Sequence, residues 1–154
     1  MQCFKCGAQL GAEQTCPNCG MNVKMYKKLI AISNYLYNVG LERAKVRDLS
    51  GAVDSLKASL QYYKGNIQAR NLLGLIYYET GETVSALSEW VISKNQDGRD
   101  NIADTYLHEV QSNTSLLNTV NQTIKKYNQA LIYCQQGSED LAVIQLKKIL
   151  SINP

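Results

Sequence analysis

The 154 residues carry 16 Lys and Arg against 13 Asp and Glu, a formal charge of +3, with 45% apolar residues, two Pro and five Cys. That length has room for one elongated module and a small appendage. Lys5, Lys24, Lys27 and Lys28 against Glu13 account for the whole excess, so the body beyond residue 28 is neutral, which argues against a phosphate-tracking basic surface. No stretch approaches the ~18 apolar residues of a membrane span, and no basic-then-apolar signal region opens the chain. A cytoplasmic protein is expected.

The first motif lies in residues 1–23, expected to form a domain of their own. Cys3, Cys6, Cys16 and Cys19 make two Cys-x-x-Cys pairs with nine residues between them, each followed by Gly. In a Cys-x-x-Cys-Gly turn both sulfurs point the same way, backbone N–H groups face them, and the Gly supplies the positive φ. Two such turns complete a four-sulfur tetrahedron with no open position, which suits one structural Zn2+. So short a segment cannot bury a core, and the metal would contribute folding free energy on the order of 10 kcal/mol or more. Two disulfides would need an oxidising compartment. A rubredoxin-like iron site would have the same ligands but a surrounding aromatic core, where only Phe4 stands. A redox dithiol would need one pair with a low-pKa thiol. The arrangement resembles the short zinc ribbons at the front of many bacterial proteins. Four thiolates on Zn2+ carry −2, which cancels most of the local +3, so a docking role for the ribbon is weighed above nucleic-acid binding.

From residue 24 onward the pattern is helical. Residues 26–46 place Leu29, Ile32, Leu36, Val39 and Arg43 on one face, with Ser50 as the expected cap of a second helix over 51–63. Residues 71–93 hold two amphipathic runs, with Leu72, Leu73, Ile76 and Tyr77 on the first and Val84, Leu87, Trp90 and Val91 on the second. Gly81 separates them, as a Gly past a helix end does. Asp100 is the expected cap of one long helix over 101–136, with a bend allowed near Ser112 to Ser115, and with Tyr106, Val110, Leu117, Val120, Ile124, Tyr127, Leu131 and Cys134 at steps of three and four. A coiled-coil seam and a lengthened groove helix both fit that series. Gly137 turns the chain into a last helix over 139–151.

A lone helical hairpin cannot bury both stripes and needs copies of itself. Gly40 to Gly74, Ala52 to Ala86, Leu56 to Trp90 and Ser59 to Ser93 are all spaced by thirty-four residues. On these residues the chain resembles the tetratricopeptide repeat (TPR). Residues 67–98 match through Leu73, Gly74, Tyr77, Gly81, Ala86 and Trp90, departing at Ser93 and in lacking the closing Pro. Residues 33–64 match through Leu36, Gly40, Ala52 and Leu56, with Arg43 where Tyr is usual. Residues 123–154 match out of phase through Ala130, Tyr133, Gly137, Ala142, Leu146 and Pro154, after an inserted or lengthened helix over about 100–122.

The resemblance implies an all-α hairpin array over 24–154, an α-solenoid, preceded by the ribbon. It also implies a peptide- or helix-binding groove lined by Asn34, Tyr37, Leu41, Asn71, Leu75, Tyr78, Ile124, Tyr127 and Leu131. No active site is legible: His108 has no neighbouring nucleophile, Cys134 reads as a small core residue, and no Gly-rich phosphate loop is present. The expected function is a non-enzymatic scaffold for a protein or peptide partner. The rival is a nucleic-acid-associated regulator touching phosphate through the ribbon and Lys24, Lys27 and Lys28. Ile144, Ile149 and Ile152 leave apolar surface on the last helix, which implies self-association there or a longer chain.

Overall fold

The computed structural model describes residues 1–152, except the side chains of Leu116 and Ile152. Pro154, expected to close a repeat, lies outside the described residues. Among them the chain is all-helical: α1 Lys24–Lys45, α2 Leu49–Tyr62, α3 Ile67–Glu79, α4 Thr83–Gln96, α5 Ala103–Ser112, α6 Thr114–Gln135 and α7 Glu139–Ile152. Residues 1–23 hold no strand, only two single antiparallel bridges, Gln2 with Gln9 and Thr15 with Asn22. The chain divides into two compact units, Met1–Ile76 and Tyr77–Pro154.

In the first unit α1 and α2 pack side by side because small residues let their backbones approach. A Cβ added at Gly40 would come within 2.9 Å of Leu56 Cγ and 3.4 Å of the Ala52 carbonyl. Leu56 and Ala52 are wholly buried, so Leu56 has no room to yield. Gly40→Ala would add helix propensity of about 1 kcal/mol but meet an overpacking cost of roughly 1–3 kcal/mol. A net loss, read as a lower urea midpoint with unchanged slope, is expected; a higher midpoint would show that the crossing can yield to a methyl group.

A buried polar network fastens the end of this hairpin. Ser59 Oγ donates to the Ser33 carbonyl at 2.7 Å and lies 2.9 Å from Ser33 Oγ. Asn66 Nδ2 donates to Ser33 Oγ at 3.0 Å, while Asn66 Oδ1 accepts from the Ala69 N–H at 3.1 Å. Asn66 therefore caps the start of α3 and ties it to both preceding helices, leaving these buried hydroxyls satisfied. The same device recurs in the second unit. Asn101 Nδ2 reaches buried Ser93 at 3.1 Å and the Asp97 carbonyl at 2.8 Å, and its Oδ1 accepts from Ala103 N–H at 3.0 Å.

The helix starts differ from expectation in two places. Asp48, not Ser50, caps α2, its carboxylate accepting from Gly51 N–H at 3.0 Å. Arg47 takes a φ of 64°, which ends the preceding turn early and brings the cap forward by two residues. At α5 the capping carbonyl is that of Asn101, because Asp100 itself sits at φ 52°.

The single helix expected over 101–136 is two, and the break falls within the stretch Ser112 to Ser115 where the sequence allows a bend. α5 ends at Ser112, Asn113 leaves the helical region at φ −86° and ψ 86°, and α6 begins at Thr114. Ser112 Oγ donates to the Glu109 carbonyl at 2.8 Å. Ser and Asn hydrogen-bond nearby backbone in competition with the helix ladder, so a break needs neither Gly nor Pro. The series expected along it is interrupted there and is not one continuous seam. Val110 and Val120 are buried, but Ile124, Tyr127 and Leu131 are exposed. Cys134, expected in the core, is exposed as well.

Two periodicities organise the helices. Ala69, Leu73 and Ile76 are followed thirty-four residues later by Ala103, Leu107 and Val110, and all six are buried. α5 is thus the in-phase continuation of α3, cut short at Asn113. The second period is ninety. α6 and α7, of 22 and 14 residues, repeat the lengths of α1 and α2, and each boundary falls ninety residues after its counterpart. The left-handed turn residues Arg47 and Gly137 correspond, with φ of 64° and 72°. So do Tyr37-Asn38 with Tyr127-Asn128, Leu41 with Leu131, and the Ala-Val-x-x-Leu-Lys-x-x-Leu runs over 52–60 and 142–150.

The second unit has its own aromatic centre. Trp90, almost fully enclosed, lies between Tyr78 and Tyr106, with ring centroids 5.8 and 5.0 Å away. An ion pair from Lys94 to Asp104 at 2.5 Å joins α4 to α5 at the surface.

Candidate metal centre and helical faces

The four cysteines sit in two copies of one local structure, thirteen residues apart. In the first, Gly7 N–H donates to the Cys3 carbonyl at 2.9 Å and Cys3 N–H to the Ala8 carbonyl at 2.8 Å. In the second, Gly20 N–H donates to the Cys16 carbonyl at 2.9 Å and Cys16 N–H to the Met21 carbonyl at 2.8 Å. Gly7 and Gly20 take φ of 72° and 68°, and a Cβ at either would touch nothing within 4 Å. Backbone handedness, not space, demands Gly there.

The sulfurs of all four lie within 4.8 Å of one another. Cys3 and Cys19 Sγ are 3.8 Å apart, and Cys6 and Cys16 Sγ 3.6 Å. A tetrahedron with metal–sulfur bonds of about 2.3 Å has edges of about 3.8 Å, so the four thiols are compatible with zinc. All four are free thiols. The Cys6 thiol is lowered to about 6, first by the Ala8 N–H that it accepts and then by the Asn18 side chain. Cys19 accepts the Met21 N–H, which favours its thiolate, but burial and the neighbouring thiols outweigh that and push it up to about 11. Four thiols this close cannot all ionise without a cation to offset the repulsion. A metal ion would supply that charge and close the two hairpins on each other.

Beneath the thiols, Cys3, Cys16 and Val23 form a small buried cluster with Ala8, Leu10, Cys19 and Met21 around it. Val23 is also the residue before α1, so the cluster runs straight into the helix. Two further attachments were not legible in the sequence. Lys27 Nζ donates to the carbonyls of Gly11 and Glu13 at 2.6 and 2.5 Å, gripping the loop between the hairpins. Phe4 meets Tyr26 edge-on at 5.0 Å, and Tyr26 meets Tyr63 at 6.0 Å. Burial and the Tyr63 hydroxyl push the Tyr26 phenol up to about 12. Lys27 is thus engaged within the chain, while Lys24 and Lys28 are exposed.

The residues expected to line a groove are distributed over both units. In the first, Asn34 is exposed and accepts from Asn66 Nδ2 at 3.2 Å, Tyr37, Leu41 and Leu75 are half-buried, and Asn71 is buried. In the second, Tyr78, Ile124, Tyr127 and Leu131 are exposed. Asn34, Tyr37 and Leu41 on α1 correspond through the ninety-residue period to Ile124, Tyr127 and Leu131 on α6, and each trio lies on one helix face. His108 is exposed on α5.

Compared with known proteins, the chain matches no family model and no curated sequence.

Proposed function

We propose that this chain is a non-enzymatic adaptor in which TPR-like helical pairs hold a peptide or helix and a zinc-bound four-cysteine ribbon serves as a docking element. One observation carries the reading. Tyr37 and Leu41 on the first helix of one pair recur as Tyr127 and Leu131 on the first helix of another, and none of the four is buried. The small residues beside them, Gly40 and Ala130, are buried in both. The helices approach through the small residue, while the Tyr and Leu remain accessible. Tyr and Leu offer apolar area at modest entropic cost, and the Tyr hydroxyl adds a hydrogen-bonding tip, which suits a peptide ligand. The four sulfurs support the zinc reading by their spacing, and a site of four protein thiolates has no open position for chemistry.

The test is selection of a random peptide library on the immobilised, zinc-loaded protein. Peptides should be enriched that bind at least about tenfold more weakly to the Tyr37→Ala and Tyr127→Ala double variant, a loss typical of an aromatic anchor. Enrichment unaffected by both substitutions would refute these faces as the binding surface. Salt-sensitive binding of random RNA or DNA that is lost with Lys24→Ala and Lys28→Ala would favour the nucleic-acid reading instead.

A further inference from the structure

α7 has apolar residues around its whole circumference, the pattern of a helix enclosed by protein. Ala142 is buried in the α6–α7 pair, yet Leu141, Val143, Ile144 and Leu146 are 46, 47, 47 and 40% exposed. The order of charge along this helix says what fits there. Residues 139–148 read Glu-Asp-Leu-Ala-Val-Ile-Gln-Leu-Lys-Lys. About the midpoint between Val143 and Ile144, Asp140 maps onto Lys147, Leu141 onto Leu146 and Val143 onto Ile144. Glu139 and Lys148 keep the same order of sign one residue further out. Asp140, Val143, Ile144 and Lys147 also stand at i, i+3, i+4 and i+7, a single stripe directed away from Ala142.

We infer that α7 pairs antiparallel with α7 of a second copy of this chain, across a two-fold axis passing between Val143 and Ile144. Asp140 of each copy then meets the partner's Lys147, and Val143 and Ile144 cover each other at the axis. A parallel pairing would set Asp140 on Asp140 and Lys147 on Lys147, so charge selects the antiparallel arrangement. The contact is isologous, and every favourable pair occurs twice. A few helical turns bury well under the ~800 Å² per partner of a standard interface, so the dimer is a weak one, dissociating at roughly micromolar concentration. The inference is independent of what the faces of α1 and α6 bind.

Sedimentation velocity of the intact chain, from sub-micromolar to hundreds of micromolar, reads the dimer directly. Asp140→Lys and Lys147→Asp each place like charges at both ends of the axis, and each alone should weaken association by about tenfold or more. Mixed in equal amounts, the two variants should associate again, because each end of the mixed dimer then joins opposite charges. Circular dichroism matching the unaltered chain shows that α7 is intact in both variants. The inference is overturned by an unaltered chain that stays monomeric, including one whose α7 instead takes up a hydrophobic dye. Single variants that dimerise like the unaltered chain, or a mixture that fails to associate, overturn it equally.

Discussion

Replacing Cys16 by Ser should abolish stoichiometric zinc uptake and unfold residues 1–23 while leaving most of the helical signal in place. Cys16 is buried in the small cluster with Cys3 and Val23, and that cluster is too small to fold unaided. A structural zinc contributes on the order of 10 kcal/mol to such a segment, far more than the cluster's few apolar side chains. The helices stand apart from this loss, because α1 and α2 are held by their own crossing at Gly40 and by the Ser33–Ser59–Asn66 network. Metal analysis should give one zinc per chain before the substitution and none after it. Cobalt substitution should give thiolate charge-transfer bands that disappear in the variant. A chain that retains no metal and gives no cobalt bands would remove the zinc reading altogether. Loss of helical signal in step with the metal would instead show that Phe4, Tyr26 and Lys27 make the first hairpin depend on the ribbon.

Leu56→Ala should cost about 3–4 kcal/mol and Leu146→Ala only about 1 kcal/mol, although the two leucines occupy equivalent places in the shared Ala-Val-x-x-Leu-Lys-x-x-Leu pattern. Leu56 is wholly buried and Leu146 is 40% exposed. Truncating the first leaves a cavity against Gly40 and Ala52, whereas the second already touches solvent. Urea denaturation of dilute protein, below the concentration at which copies associate, gives both values. Equal costs would mean that something covers Leu146 in the single chain.

The legible parts of this molecule are those written in covalent spacing or in glycine. Two Cys-x-x-Cys-Gly turns bring four sulfurs together with little help from distant sequence, and Gly81 stops α3 where a helix of that pattern should stop. The α5–α6 break falls within the stretch where the sequence allows a bend, yet nothing there marks a full break, because Asn113 is neither Gly nor Pro, and an unbroken run of three-four spacing looks alike on one helix or on two. The cap of α2 is not fixed by sequence because Asp48 and Ser50 are both competent caps, and only the positive φ of Arg47 decides between them. Other features were present but unread. The thirty-four-residue count continues from Ala69, Leu73 and Ile76 to Ala103, Leu107 and Val110, and the ninety-residue period is plain once Ala-Val-x-x-Leu-Lys-x-x-Leu is set beside its copy. The grip of Lys27 on two loop carbonyls leaves no trace in the sequence, since a lysine near a cysteine motif reads first as charge.

The ninety-residue period also means that 24–62 and 114–152 are interchangeable parts. Every helix boundary and the intervening turn coincide, so one segment could replace the other with no loop to lengthen or shorten. The two differ in their side chains, Gly40 against Ala130 and Ser59 against Ile149 among them, and α1 and α2 pack more closely than α6 and α7. The helix lengths and the turn are common stock, and the side chains determine which copy is sealed and which is left open.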